Sequence, residues 1–296
     1  MGKNSSTPVT IGISFFNAEE YLVDAIRSIF CQTHNNWELI LINDGSTDNS
    51  LNLANSIDDD RIRVISDGER KGLPYRLNQI VNLARYPLIA RMDADDLLAP
   101  NRFEKQIKFL NENPNLDLIC TGYFSIDNKD ILLGKGPKYY NDFSIDELLN
   151  KKGHGIVHPS IMGRKKWFIR NIYNEKIKTG QDYDLWVRAA EKKDFKIYLL
   201  DEPLFYYREE MNVDLNKLER SYKIKYTTLI SHTNKNKMLL FLNYKLKVIA
   251  IRILDILNIL KILLKRRSIP VNDKDKALYN KNLATIKATI LPGVDF

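Results

Sequence analysis

Short apolar runs alternate with stretches of helical period over the first part of the chain. Thr10-Ile11-Gly12-Ile13-Ser14-Phe15-Phe16 reads as a buried strand. Over residues 18–31, Tyr21, Leu22, Ala25, Ile26, Ile29 and Phe30 fall on one stripe at helical spacing. Trp37 to Ile42 is a second strand, and the polar turn Asn43 to Ser50 feeds a second helix. A strand over Arg61 to Ile65, a helix over Leu73 to Ala84 and a strand over Pro87 to Met92 continue the series. Strands and helices alternating at this spacing predict βαβ units and a parallel sheet, hence an α/β fold.

Beyond residue 96 the pattern is looser. A helix starts at Pro100 and Asn101 and runs through Asn111. Leu116 to Tyr123 reads as a strand, Ser125 to Leu133 as its hairpin partner, and Gly134 to Asn141 as a loop. A short helix over 144–151, a short strand from His158 to Met162 and a helix from Asp182 to Lys192 follow. Two strands, Lys196 to Leu200 and Leu204 to Arg208, close this part. From about residue 212 the chain changes to long helices rich in Lys, which divides it into a domain over 1–210 and an extension over 211–296.

In that extension Met238 to Leu264 is dominated by Leu and Ile. Lys245, Lys247, Arg252, Asp255, Asn258 and Lys261 interrupt it, so no stretch reaches the roughly 20 apolar residues that span a bilayer. Most of these polar residues recur at three- or four-residue steps, which makes a narrow polar stripe on a broadly apolar helix, with Arg266 and Arg267 at its end. A basic amphipathic helix of this kind suits an anionic membrane surface. The same pattern also fits a helix packed on the first domain or on another subunit.

Charge sharpens the division. Residues 1–210 hold 28 Lys and Arg against 31 Asp and Glu, a net of −3, while residues 211–296 hold 17 against 6, a net of +11. The overall +8 therefore belongs to the extension, and so does any acidic partner. The extension lacks interleaved aromatic and basic patches, so no nucleic-acid partner is expected. Cys31 and Cys120 form neither a disulfide framework nor a metal-ligand spacing, which fits a reducing compartment. The opening residues Met1 to Pro8 are polar and carry no apolar export signal, so a cytoplasmic protein is expected.

The chemistry concentrates at Arg91-Met92-Asp93-Ala94-Asp95-Asp96, just past an apolar strand. In open α/β sheets that edge is where ligands bind. Three carboxylates there repel one another. A hard divalent cation such as Mg²⁺ or Mn²⁺ relieves the repulsion and offers its free positions to phosphate oxygens. The competing reading is a polar turn in which the Asp side chains bond nearby amides. Three further stretches fall at strand ends or helix starts. Of Phe15 and Phe16, the first fits the core and the second could stack on a flat base. In Asn43-Asp44-Gly45-Ser46, Asp44 could accept from a base or ribose and Gly45 lets a ligand approach the backbone, while Ser46, Thr47 or Asp48 could cap a helix. In Thr179-Gly180-Gln181-Asp182-Tyr183-Asp184-Leu185-Trp186, Asp182 sits at a helix start, where the macrodipole keeps a carboxylate ionised. A plain N-cap is the alternative for Asp182, and Trp186 is either core or a platform for a sugar ring.

Taken in order, Ser14 to Leu22, Ile42 to Asp48, Ala90 to Asp96, His158-Pro159-Ser160 and Asp182 to Arg188 resemble family-2 inverting glycosyltransferases of the GT-A fold, over roughly residues 8–210. The resemblance implies a Rossmann-like, mostly parallel central sheet flanked by helices, here with a C-terminal helical extension. It implies that Phe16 lies beside a nucleobase, that Asp44 reads the base, that Asp93 lies near ribose and diphosphate, and that Asp95 ligates Mn²⁺ or Mg²⁺. Asn17, Glu19 and Ala94 join the nucleotide-sugar site, with Lys71 or Arg70 facing the phosphates. Asp182 becomes the catalytic base, with His158 and Trp186 on the acceptor side. The expected donor is a UDP-hexose. The expected acceptor is a lipid-linked oligosaccharide of surface-polysaccharide, lipopolysaccharide or O-antigen assembly, at the inner face of the cytoplasmic membrane. Three positions depart from the family pattern: Gln181 stands where Glu is common, Arg70 where Asn is frequent, and Arg85-Tyr86-Pro87 where a Gly is usual. From Gln181 and the basic tail, the alternative expectation is a non-catalytic membrane-associated partner with a degenerate site.

Overall fold

The computed structural model describes residues 7–136, 148, 156–209, 215–232, 237–257, 259 and 269–294. The apolar runs of the first part form β1 (Val9–Phe15), β2 (Trp37–Asn43), β3 (Ile62–Ser66) and β4 (Leu88–Asp93), all parallel. Every residue of β2 is buried, as a parallel strand covered on both faces requires. Helices α1 (Leu22–Phe30), α2 (Ser50–Ser56) and α4 (Arg102–Glu112) pack on one face, against Val9, Ile11, Ile13 and Phe15. Helices α3 (Leu73–Leu83), α5 (Lys165–Arg170) and α6 (Gln181–Glu191) cover the other, against Ile40 and Ile42. Phe15 is core, as its position in the strand suggests.

Short strands extend the sheet: β5 (Leu97–Leu98), β6 (Leu118–Ile126), β7 (Leu132–Lys135), β8 (Met162–Arg164) and β9 (Ile197–Arg208). The order is β3-β2-β1-β4-β8-β6-β9-β5, with β7 on β6. β8 runs antiparallel to β4 and β6, and β6 and β9 are parallel. Register decides where the chemistry goes. Ser14 pairs with both Ile42 and Asp93, and Phe15 pairs with Asn43. The loops that follow β1, β2 and β4 therefore leave the sheet side by side.

Several expected elements are redrawn. The hairpin partner of β6 begins at Leu132 rather than Ser125, because the Asp127 carboxylate accepts the amides of Lys129 and Ile131 and fixes a turn between them. His158–Ser160 is a 3₁₀ turn with Pro159 inside it, and the strand starts only at Met162. The two expected strands at 196–208 are one, β9, which shifts register against β6 opposite Gly122. The expected helix over 144–151 and most of the loop over 134–141 lie outside the described residues.

The basic extension divides in two by packing. α7 (Leu215–His232) lies on α6: Ile224 touches Gly180, and the His232 ring meets Glu191 at 2.5 Å. α8 (Lys237–Ile256) packs on α7, with Tyr244 stacked on Tyr226 at 5.0 Å and Arg252 paired to Glu219. α9 (Asp273–Lys287) instead returns to the α/β body. Tyr279 and Ile286 are buried with Phe124, Leu204 and Tyr206, and Leu291 enters the main core. Tyr279 also donates to the Asp130 carbonyl at 2.7 Å, and Lys135 pairs with Asp275 at 2.7 Å. Among the described residues no helix is long and apolar enough to cross a membrane.

Residues 273–294 thus complete the core of the first domain and do not hang from it. Tyr279→Ala should cost about 3–5 kcal/mol, the range for emptying a fully buried aromatic site. Urea unfolding of the full chain measures it. A loss below about 1 kcal/mol would mean that α9 is peripheral.

Candidate active site

β4 ends at Asp93, and the chain then turns through Ala94, Asp95 and Asp96 before β5. Ligand oxygens of Asp93, Asp95 and Asp96 lie within 4.8 Å of one another. Asp93 is half-buried, Asp95 open to solvent and Asp96 buried. Three arginines hold this charge. Arg91, one step back on the same strand face, reaches Asp93 at 2.8 Å while almost wholly buried. Arg208, at the end of β9, donates its amide to Asp96 at 2.8 Å and its Nε to the Asp95 carbonyl at 2.7 Å. Arg102 is fully buried beneath the turn and donates to the carbonyls of Arg91, Pro159 and Ile161.

The compensation is incomplete. Desolvation and then the Asp93 charge push the Asp95 carboxyl up to about 6. Burial, then Asp95 and Asp93, push Asp96 well above the usual carboxylate range. Asp96 Oδ2 is buried without a hydrogen-bond partner. Clustered carboxylate oxygens, one of them orphaned, fit a hard divalent cation such as Mg²⁺ or Mn²⁺ by donor chemistry. They fit the turn reading less well, because Asp93 pairs with Arg91 and the backbone amide bearing on the Asp95 carboxylate is its own.

Beside this turn a cleft of about 910 Å³ opens along the sheet edge. Its walls include Phe16, Asn17, Asp44, Lys71, Ala94 and Asp95. Asp44 is the most heavily bonded of them. It accepts the Lys71 and Gly72 amides at 2.9 and 3.0 Å and Arg76 Nε at 2.8 Å. Arg76, with no exposed surface, also grips both oxygens of Asp67. This cluster fixes the 67–72 loop as one wall. Gly45, at a φ of 76°, lets the 69–70 backbone approach to a distance that a side-chain carbon would contest at 3.1 Å. Arg70 lies over the Phe16 ring at 3.8 Å, a cation–π contact on one face of that aromatic. Lys71 Nζ pairs with Asp67 and Glu69 at 2.9 and 3.2 Å.

The β1 and β2 loops lock to each other. Asn17, at a φ of 50°, accepts the Thr47 amide at 2.8 Å, and Ser50 Oγ accepts the Ala18 amide. Glu19 is turned the same way. Its carboxylate accepts the Asn49 amide at 2.8 Å and so holds the second loop in place of facing the cleft, contrary to its expected place in the donor site. Sequence reasoning missed Glu175 and Lys178, which reach the cleft from a long loop. That loop is held from α3, where Asn78 bonds Tyr173 at both backbone groups and Glu175 at 2.9 Å. The cluster of Lys176 and Lys178 before Asp182 is the one hint in the sequence.

A second pocket, of about 320 Å³, shares Leu73 and Asp93 with the cleft. Arg91, His158, Gln181 and Asp182 line it, with Tyr123 and Tyr207. Asp182 stands in the first turn of α6. Gly180, left-handed at a φ of 74°, takes the cap position, so Asp182 is not the plain N-cap. His158 is buried and meets the Tyr173 hydroxyl at 2.7 Å. Trp186 has no exposed surface; it stacks on Phe195 at 5.2 Å and meets His158 edge-on. It is core, and the expectation of a sugar platform there is corrected. The half-buried aromatics on the pocket wall are Tyr123 and Tyr207, edge-to-face at 5.9 Å.

A curled, mostly parallel sheet with helices on both faces and a nucleotide-sized cleft at its edge defines a GT-A architecture. Solved structures agree. TarS of S. aureus (residues 1–349) in complex with UDP aligns with a TM-score of 0.56 at 15% identity, over 79% of this chain and 68% of that one. The complex with UDP-GlcNAc aligns at 0.57 and 13%, over 79% and 69%. At this identity the likeness speaks to the fold alone. The family model of glycosyl transferase family 2 matches residues 10–171, and the chain belongs to that family. An uncharacterized glycosyltransferase of Methanocaldococcus jannaschii is 31% identical over 80% of this chain and 83% of its own length. The putative glycosyltransferase EpsE of Bacillus subtilis is 32% identical over 70% and 75%. The chain is a glycosyltransferase, and the alternative of a non-catalytic partner gives way.

The acidic turn should act against stability when no cation is bound. Because the folded protein holds the Asp95 proton up to about pH 6, ionising it costs stability increasingly from about pH 4 to 6. Asp95→Asn should therefore stabilise the cation-free protein by about 1 kcal/mol at pH 7.5, a figure discounted for the exposure of the carboxylate. The gain should vanish near pH 4. Thermal melts in EDTA at the two pH values check both signs, and a variant less stable than wild type at pH 7.5 contradicts the reading.

Proposed function

We propose that the chain is a metal-dependent inverting hexosyltransferase that moves a sugar from a UDP-hexose to a hydroxyl of a lipid-linked or polysaccharide acceptor. One observation carries the reading: Asp93 is a shared wall between a cleft large enough for a nucleotide sugar and the pocket that holds Asp182. A sugar attached to a nucleotide in the cleft would reach that wall with its anomeric carbon toward the pocket. That TarS was solved with UDP and with UDP-GlcNAc supports a uridine nucleotide here.

In this reading Phe16 and Asp44 receive the base. Asp44 Oδ1 accepts from Arg76 and two amides, while Oδ2 shares only the Gly72 amide at 3.1 Å and keeps a lone pair with which to accept a base N–H. Arg70 and Lys178 supply positive charge on the cleft wall for the diphosphate, with Lys71 beside them in its pairs with Asp67 and Glu69. Asp95, with Asp93 and Asp96 beside it, would hold Mn²⁺ or Mg²⁺, which supplies Lewis-acid stabilisation of a leaving diphosphate. Asp182 accepts the proton of the acceptor hydroxyl as that oxygen bonds to the anomeric carbon and the bond to the diphosphate oxygen breaks. Attack comes from the face opposite the leaving group, so an α-linked donor yields a β-glycoside. Tyr123 and Tyr207 give the acceptor ring apolar surface beside Asp182, with His158 behind. The surplus of positive charge after residue 211 supports a peripheral position on the inner face of the cytoplasmic membrane, where a lipid-linked acceptor is presented.

Asp182→Asn should lower turnover by about 10²–10⁴-fold, the span of a lost general base. The thermal shift given by UDP-sugar with Mn²⁺ should survive in the same variant. Loss of both together would make Asp182 structural, and full turnover would remove it from the mechanism.

A further inference from the structure

α8 has two apolar faces, and among the described residues one of them packs on α7. Tyr244, Val248 and Ile251 turn toward α7, where Tyr244 stacks on Tyr226 and the other two are buried. The opposite face carries Leu239, Leu242, Leu246, Ile249, Ile253 and Ile256, spaced three and four apart in strict alternation. All six are exposed, Leu246 by 63% and Ile256 by 78%. At 1.5 Å per residue this row runs along a helix about 30 Å long. Leaving such a row in water is costly, and contiguous exposed apolar surface of this kind marks an interaction site.

The charges at its edges indicate the partner. On the helical wheel Lys245 and Arg252 border the row on one side and Lys247 on the other. The one acid of the helix, Asp255, falls on the same side as Val248 and Ile251, turned toward α7 and half-buried. The outward face is thus apolar at its centre, with Lys245 at one edge and Lys247 beyond the other, while Arg252 is held by Glu219 of α7. Long Lys and Arg stems of this kind bury their methylenes and hold their charge at the level of lipid headgroups. A second copy of the helix fits less well. A coiled-coil seam carries acids and bases at its edges for pairing, and here no acid is on offer. The apolar arc is also wider than a seam, since Met238 and Leu257 are exposed beside the row.

We infer that this face of α8 docks the enzyme in the plane of an anionic bilayer. The inference rests on the membrane position proposed above, and is independent of the donor and acceptor chemistry. The geometry adds a consequence for the active site. α8 lies on α7, α7 lies on α6, and Ile224 of α7 touches Gly180, two residues before Asp182. The docking face and the acceptor pocket are therefore successive layers of one stack of helices.

Co-sedimentation of the full-length protein with vesicles tests it, using phosphatidylcholine alone or with about 30 mol% phosphatidylglycerol. Wild type should bind the anionic vesicles and lose affinity as salt rises. Leu246→Glu with Ile249→Glu should weaken binding at least about tenfold, since charges replace two exposed apolar groups at the centre of the face. Lys245→Gln with Lys247→Gln should weaken it about tenfold and abolish the preference for the anionic lipid. All four positions are exposed, so the melting temperature should not move. Failure of wild type to bind, or equal binding by the Glu pair, overturns the inference. So does a wild-type dimer that the Glu pair dissociates while neither binds vesicles, because the face would then join two copies. UDP-sugar thermal shifts on the same proteins report on the donor site separately. A lost shift with retained vesicle binding counts against the proposed donor chemistry alone.

Discussion

The fold is arranged around a concentration of negative charge. Asp93, Asp95 and Asp96 fall within four consecutive positions at a strand end, and like charges so close repel strongly where water is scarce. Arg91, Arg102 and Arg208 answer that repulsion from three directions. They come from the same strand, from the helix below and from the far end of the sheet. Burying an arginine is costly unless its donors are satisfied, and Arg102 sits deep enough that its own pKa falls to about 9. Such groups persist where the charge they hold has work to do. Arg91 and the Arg208 amide hold the Asp93 and Asp96 carboxylates, while the Arg102 and Arg208 side chains hold backbone carbonyls around the turn, and the remaining repulsion is what a cation would relieve.

A second ionic cluster performs a different task at the neighbouring strand end. Arg76 joins Asp44 to Asp67, and Asp44 collects two amides of the following loop. The first and second loops are tied together by Asn17, Glu19, Asp48 and Ser50. Each side of the cleft is thus fixed by hydrogen bonds between loops that are far apart in the chain and adjacent in the sheet. The parallel register makes this possible, since it delivers all three loops to one edge. Preorganisation of this kind lowers the ordering cost of ligand binding.

How much of this was legible in the chain follows from how local each cause is. β1, β2 and β4 are continuous apolar runs that nothing else explains, and the carboxylates that follow β4 stand where the parallel sheet puts a ligand. The misplaced features depend on contacts that no period encodes. Trp186 lies one helical turn from Asp182 on the same face, about 6 Å further along the helix axis. That distance is enough for Phe195, Trp167 and His158 to close over it. Glu19 falls in a motif at the sheet edge, yet its carboxylate is claimed by the Asn49 amide. Lys178 enters the cleft only because Asn78, a hundred residues earlier, holds its loop. The hairpin after β6 moved by several residues because one side chain, Asp127, captures two amides.

The return of α9 has a kinetic meaning. Leu291 belongs to the same core as Val9 and Leu22, and Tyr279 closes over Phe124. During synthesis the first strands leave the ribosome long before residues 279–291 exist. Until then the sheet carries an uncovered apolar patch and an unfinished core. Contacts this distant in sequence are slow to form and leave the nascent chain exposed to misassociation. A message cut short before this point would yield a chain whose first domain keeps an adhesive, uncovered face.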